Sequence, residues 1–116
     1  MKSTEENNRL VNLLEDLFIT AFEGGSSYWA EVKDPTPSGV GSPSERWFNH
    51  IKNGGSMDVY DVENEDELLG TVTWESMEWA IPMMKEDFAH MHLEEADADI
   101  ADAWFQFASI GEYTYG

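Results

Sequence analysis

The sequence predicts an α+β domain, three to four helices packed on a small antiparallel sheet of three to four strands. Three observations carry that expectation. Apolar residues recur at helical spacing near both ends of the chain. Alternating, aromatic and β-branched runs lie between them, separated by Gly, Pro, Asn and Asp clusters. A helix-Gly-Gly-Ser-strand pattern occurs twice, as "FEGGSSYWAEV" and "IKNGGSMDVYDV". With 116 residues and 41% hydrophobic content the chain is long enough for one domain, residues 1–116, with one core.

Ser3 and Glu6 form a capping-box pattern ahead of Leu10, Leu14, Leu17, Phe18, Ala21 and Phe22, which predicts a helix over 4–23. Gly24 then reads as a left-handed helix terminator, and Tyr28 to Lys33 as a strand. "DPTPSGVGSP" is a loop. Ser42-Pro43-Ser44-Glu45 is a helix start, with a Ser cap, Pro at the first position and an acid two residues on. Trp47, Phe48 and Ile51 make that helix's buried face, and Gly54 ends it. Residues 56–62 and 68–74 are the two strands of a hairpin around "ENEDE".

Met77, Ile81, Met84, Phe88 and Met91 fall on one helical stripe, which Pro82 interrupts. Proline removes a hydrogen bond and clashes four residues back, so the helix either kinks around 78–81 or starts near Ile81. A last helix, capped by Asp97 or Asp99, turns Ile100, Ala103, Trp104, Phe107 and Ala108 inward. Gly111 closes it, and residues 112–115 read as a short edge strand.

Each Gly-Gly-Ser is expected to punctuate a helix-to-strand passage. The competing reading, an anion-binding nest of backbone amides, would draw an anion toward a strongly negative chain.

Charge is the strongest functional signal. The net formal charge is −18. Residues 1–52 hold 8 acids and 5 bases, and residues 53–116 hold 16 acids and one base, Lys85. Direct nucleic-acid binding is disfavoured, because affinity for phosphates comes from Lys and Arg. No apolar run approaches a membrane span, and Met1 to Arg9 is too polar for a secretory signal. Cysteine is absent, which removes disulfides and thiolate chemistry and allows a cytoplasmic setting in a host cell. No nucleophile elbow, P-loop or dinucleotide fingerprint is present, so an enzyme is not expected, nor a cofactor. Neither "DADIAD" nor "DVENEDELLG" has the glycine and terminal glutamate of a calcium loop. His90 and His92, two apart beside Glu94 and Glu95, lack zinc-ligand spacing for a helix.

"TAFEGGSSYWAEV", the hairpin at 56–74 and "DADIADAWFQFASIGEYTYG" resemble a family of small, functionally uncharacterised proteins encoded by phages and prophages. Its members share an E-G-G-S-x-Y-W segment near the start and a Gly-Glu-x-x-Tyr-Gly ending. Here these fall on Thr20–Trp29 and Asp97–Gly116, with Gln106, Gly111, Glu112, Tyr115 and Gly116 in place. The resemblance implies a phage-related origin and offers no catalytic residues. This chain departs from it in its strongly acidic second half.

The acids then suggest a nucleic-acid mimic that inhibits a host defence nuclease (anti-CRISPR or anti-restriction type) or another DNA- or RNA-binding protein. Duplex DNA carries about one negative charge per 1.7 Å of axis, and a rigid array of carboxylates can imitate it. The expected partner-binding residues are Asp58, Asp61, Glu63, Glu65, Asp66 and Glu67 on the hairpin, and Glu86, Asp87, Glu94, Glu95, Asp97, Asp99 and Asp102 on the last helices and their linker. Tyr60 or Tyr113 would anchor the contact with the partner's basic groove. Besides a hydrolase built on a carboxylate pair or a bound metal, two other readings stand beside it. One is an assembly module of phage biology that docks or homodimerises without inhibiting anything. The other is an acidic surface serving only solubility, as in a halophilic host.

Overall fold

The computed structural model describes residues 4–87 and 98–115, with side chains placed up to residue 84 in the first segment. Within these, four α-helices pack on a three-stranded antiparallel sheet. Helix α1 spans Thr4–Thr20 and buries Leu14, Leu17 and Phe18. It ends in a wide turn, Ala21–Gly25, in which the Ser26 amide donates to the Ala21 carbonyl. Gly24 is not left-handed as expected: its φ of 176° is ordinary extended backbone. The demanding glycine is Gly25, where a Cβ would meet the Ala98 carbonyl oxygen at 3.0 Å. The first Gly-Gly-Ser therefore lets the end of α1 seat against the start of the last helix.

Strand β1 is only Ala30–Glu31, shorter than the expected 28–33. Ser26 to Trp29 are taken up by turns, with the Trp29 and Ala30 amides both donating to the Ser26 carbonyl. Helix α2, Pro43–Lys52, starts as its sequence dictates: Ser42 and Glu45 exchange both capping-box hydrogen bonds. Its end is a Schellman motif, with Gly55 N–H on the His50 carbonyl and Gly54 N–H on that of Ile51. Gly54 has φ +100°, which a side chain would strain.

Strands β2 (Met57–Asp61) and β3 (Leu68–Val72) form the hairpin, with an irregular register at Val59/Tyr60. The sheet order is β1-β2-β3. Met57, Val59 and Val72 face the core, while Asp58 and Thr71 pair on the outer face. The second strand stops two residues short of the expected Trp74, because Thr73 is already a helix cap. Thr73 and Ser76 exchange backbone-to-hydroxyl hydrogen bonds, and α3 runs from Trp74 to Asp87. Pro82, exposed, lies inside it, so the helix starts well before Ile81.

Helix α4, Ala98–Ser109, is the centre of the molecule. Every residue from Ile100 to Ser109 is buried, between α1 and its terminal turn, α3 and β3. The expected inward stripe is correct, yet the opposite side is covered too. The tail at 112–115 is not a strand, and its pairing partner is a side chain, described below.

Candidate functional site

The hairpin presents its acids to solvent. Asp58, Glu63, Glu65, Asp66 and Glu67 are exposed and Asp61 is half-buried. Local hydrogen bonds hold two of them. Asp58 accepts from the Thr71 hydroxyl across the strands, and Asp61 accepts from the Glu63 amide in an Asx turn that fixes the start of the loop. Among the described residues none of these six acids forms an ion pair, whereas Glu5 at the far end of the chain pairs with Arg9 at 3.1 Å.

The acids of the second expected group divide three ways. Asp99 is exposed in the first turn of α4, where a carboxylate favours the helix dipole. Glu86 and Asp87 end α3, but their side chains, and Glu94, Glu95 and Asp97 altogether, lie outside the described residues. So do His90 and His92, and with them the zinc question. Among the described residues no group of three metal-ligating side chains converges.

Asp102 is a correction. It was expected on the partner-binding surface and is instead 6% exposed. Its Oδ1 accepts from the Ser26 hydroxyl at 2.8 Å and the Trp29 indole at 2.7 Å. Its Oδ2 accepts from the Tyr28 hydroxyl and from the Gln106 amide at 3.2 Å. Four neutral donors satisfy the carboxylate, which offsets the cost of removing it from water. It holds the fold together and is not available to a partner.

Gln106, fully buried, extends this network to the tail. Its Oε1 accepts from the Thr114 and Tyr115 amides at 2.8 and 2.7 Å, and its Nε2 donates to the Tyr115 carbonyl at 2.7 Å. One side-chain amide thus pairs the tail as a neighbouring strand would. Tyr115 completes the clamp by stacking on Trp29, with ring centroids 4.9 Å apart and planes 11° from parallel. The residues of the two resemblance motifs, Ser26, Tyr28 and Trp29 on one side and Gln106 and Tyr115 on the other, therefore meet around one carboxylate.

This lock also relates the acids to one another. Desolvation, then the charges of Asp61, Glu67 and Glu63, raises the Tyr115 hydroxyl above its ordinary pKa. The Tyr28 hydroxyl is raised strongly, by desolvation first, then by its bond to Asp102 and that charge, with Tyr113 and Asp99 adding to it. The hairpin acids lie close enough to the tail, and Asp99 close enough to Tyr28, for each tyrosine to feel them. The expected anchor Tyr60 is half-buried under the Lys33 ammonium, 4.1 Å from its ring centroid, and is not a free aromatic. Tyr113 is exposed, as expected.

Sequence reasoning missed Ser26, Tyr28, Trp29 and Gln106 as a unit. Their signal was the co-occurrence of the two motifs, together with a last helix whose apolar and small residues extend all the way round. Set against protein-family models, curated proteins and solved structures, the chain matches none.

Proposed function

We propose that this chain is a non-enzymatic phage or prophage protein that mimics a nucleic acid. It would inhibit a host defence nuclease, or another DNA- or RNA-binding protein, by occupying that partner's basic groove. The phage origin rests on the motif resemblance. The observation that carries the mimicry is the hairpin: Asp58 on β2 and Glu63, Glu65, Asp66 and Glu67 in the turn are exposed and free of ion pairs among the described residues, and the turn is held by the Asp61–Glu63 Asx turn and by the Glu67 amide on the Asn64 carbonyl. Rigidity matters because an array that is already ordered loses little entropy on binding. Asp61, Glu63 and Glu67 near the tail, and Asp99 beyond Tyr28, extend the negative charge along the locked motifs. A field of this sign speeds encounter with a cationic cleft.

No helix among the described residues is long and apolar enough to cross a membrane, and the proposal needs none. The test is capture of partners from host lysate followed by affinity measurement in a salt series. A basic nucleic-acid-binding partner whose affinity falls steeply between about 50 and 300 mM salt supports the proposal. Affinity that stays flat over that range sinks it. A stable homo-oligomer in light scattering, with the hairpin buried between copies, would favour the assembly reading instead.

A further inference from the structure

A groove on the far side of α2 has no role in the acidic surface. Arg46, Asn49, His50 and Asn53 follow the i, i+3, i+4, i+7 spacing, so they share one face of that helix. The opposite face, Ser44, Phe48 and Ile51, is buried. Opposite these four side chains runs the 35–38 loop, stiffened by Pro35 and Pro37. Together they line a shallow groove, open to solvent, of about 580 Å³. Trp47 lines it and also lines a second hollow of about 300 Å³ that continues toward Lys33 and Tyr60.

Among the described residues, the side chains of Arg46, Asn49, His50 and Asn53 have no hydrogen-bond partner within the protein, and Asn49, His50 and Asn53 are exposed to water. The Nε atom of Arg46 is buried without one. That atom is closed to water, so the part of Arg46 a molecule in the groove would reach is the terminal guanidinium nitrogens.

The lining chemistry narrows the occupant. An apolar ligand would leave all of these groups unpaired. A cation would meet the Arg46 guanidinium and no carboxylate in the lining of this groove. An anion would meet one guanidinium, but also the acceptor oxygens of two carboxamides and the field of a chain of net charge −18. Asn and His each donate and accept, and Arg only donates. A neutral ligand rich in hydroxyls, which also donate and accept, matches that mixture. Trp47 lines the groove, half-buried with the His50 ring nearly perpendicular to it at 5.8 Å between centroids, and an indole suits the C–H face of a sugar ring.

We infer that the groove between α2 and the 35–38 loop is a binding site for a neutral saccharide. It is independent of the mimicry proposal and uses none of the acids invoked there. The test is amide shift mapping and saturation-transfer NMR on the whole chain. The probes are maltotriose, cellotriose and N,N′,N″-triacetylchitotriose, with sodium phosphate and acetate as anionic comparisons. The expected result is saturable shifts at Trp47, Asn49 and Asn53 with one trisaccharide, at a Kd on the order of 1 mM or tighter. Exposed Asn49→Ala should weaken it at least about fivefold with the fold intact, while Asn64→Ala in the hairpin turn leaves it unchanged. The inference is overturned if none of the three sugars shifts those amides at about 10 mM, or if phosphate binds there more tightly than any of them. Equal binding by Asn49→Ala and the unaltered chain overturns it as well.

Discussion

Asp102 and the hairpin acids are the same chemical group in opposite settings. Asp102 sits inside the protein with four donors around it, and Glu63, Glu65, Asp66 and Glu67 stand in water with no cation paired to them among the described residues. The difference teaches that acidity in this chain is two devices. One carboxylate gathers Ser26, Tyr28, Trp29 and Gln106 into a single lock. The others load a surface at some cost in self-repulsion. Substitutions should separate the two: changes at the lock should cost stability, and changes on the hairpin should cost only binding.

The largest effect is expected at Asp102. Asp102→Ala removes the acceptor shared by four donors and strands the Ser26 hydroxyl and the Trp29 indole, both buried. Unfolding in urea should show a loss of about 3 kcal/mol or more. Asp102→Asn keeps the shape but turns one acceptor into a donor, so it should fall between Ala and the unaltered residue. Loss below about 1 kcal/mol for Asp102→Ala would break the comparison, since the carboxylate would then behave like a surface acid.

Gln106→Ala should come next, at about 2 kcal/mol, because it frees the Thr114 and Tyr115 amides and the Tyr115 carbonyl together. The tail can then reach water, which limits the loss. Hydrogen exchange at Thr114 and Tyr115 should rise far more than exchange in α1, and equal increases in both would argue against a dedicated clamp.

These two residues also mark what the sequence could disclose. The hairpin, the α2 capping box and the apolar stripe of α4 follow from local spacing and were legible. So was the exposure of the hairpin acids, since a turn as acidic as "ENEDE" has no apolar residue to bury. The burial of Asp102 was not legible from its own neighbourhood. Three of its four donors lie 73 to 76 positions earlier, and burial of a carboxylate is decided by whether such donors arrive. The tail misled for a related reason. Glu112 to Tyr115 has strand composition, but a strand requires a free sheet edge, and a glutamine side chain took that role. The β3–α3 boundary was shifted because Thr73 suits a strand by propensity and caps a helix by hydrogen bonding.

Tyr28→Phe should cost less, about 1 kcal/mol, since it removes one hydrogen bond at a ring that is 55% exposed. Its sharper signature is in pH. The hydroxyl is held above its ordinary pKa of 10.0, so the folded state keeps a proton that the unfolded chain gives up. The stabilisation is therefore complete below pH 10 and is lost as pH rises beyond it. Tyr115 shifts in the same direction and should add to the slope. Denaturation midpoints from pH 9 to 11.5 should fall for the unaltered chain and fall less for Tyr28→Phe. Parallel curves would mean that Tyr28 is not coupled to the lock.

The smallest effect on stability, and the largest contrast with Asp102, is expected on the hairpin. Replacing Glu63, Glu65, Asp66 and Glu67 with Gln or Asn removes four negative charges but no side-chain hydrogen bond, since the Asx turn uses the Glu63 amide and the Asp61 side chain. Relief of like-charge repulsion should leave the melting temperature unchanged or raise it, most visibly at low salt. The same variant should bind a basic partner more weakly, and its affinity should depend less steeply on salt. A fall in stability matching that of Asp102→Ala would make these acids part of the fold, and the mimicry proposal would lose its free surface. Unchanged stability with unchanged partner affinity would leave the fold as described and remove the hairpin from the interface.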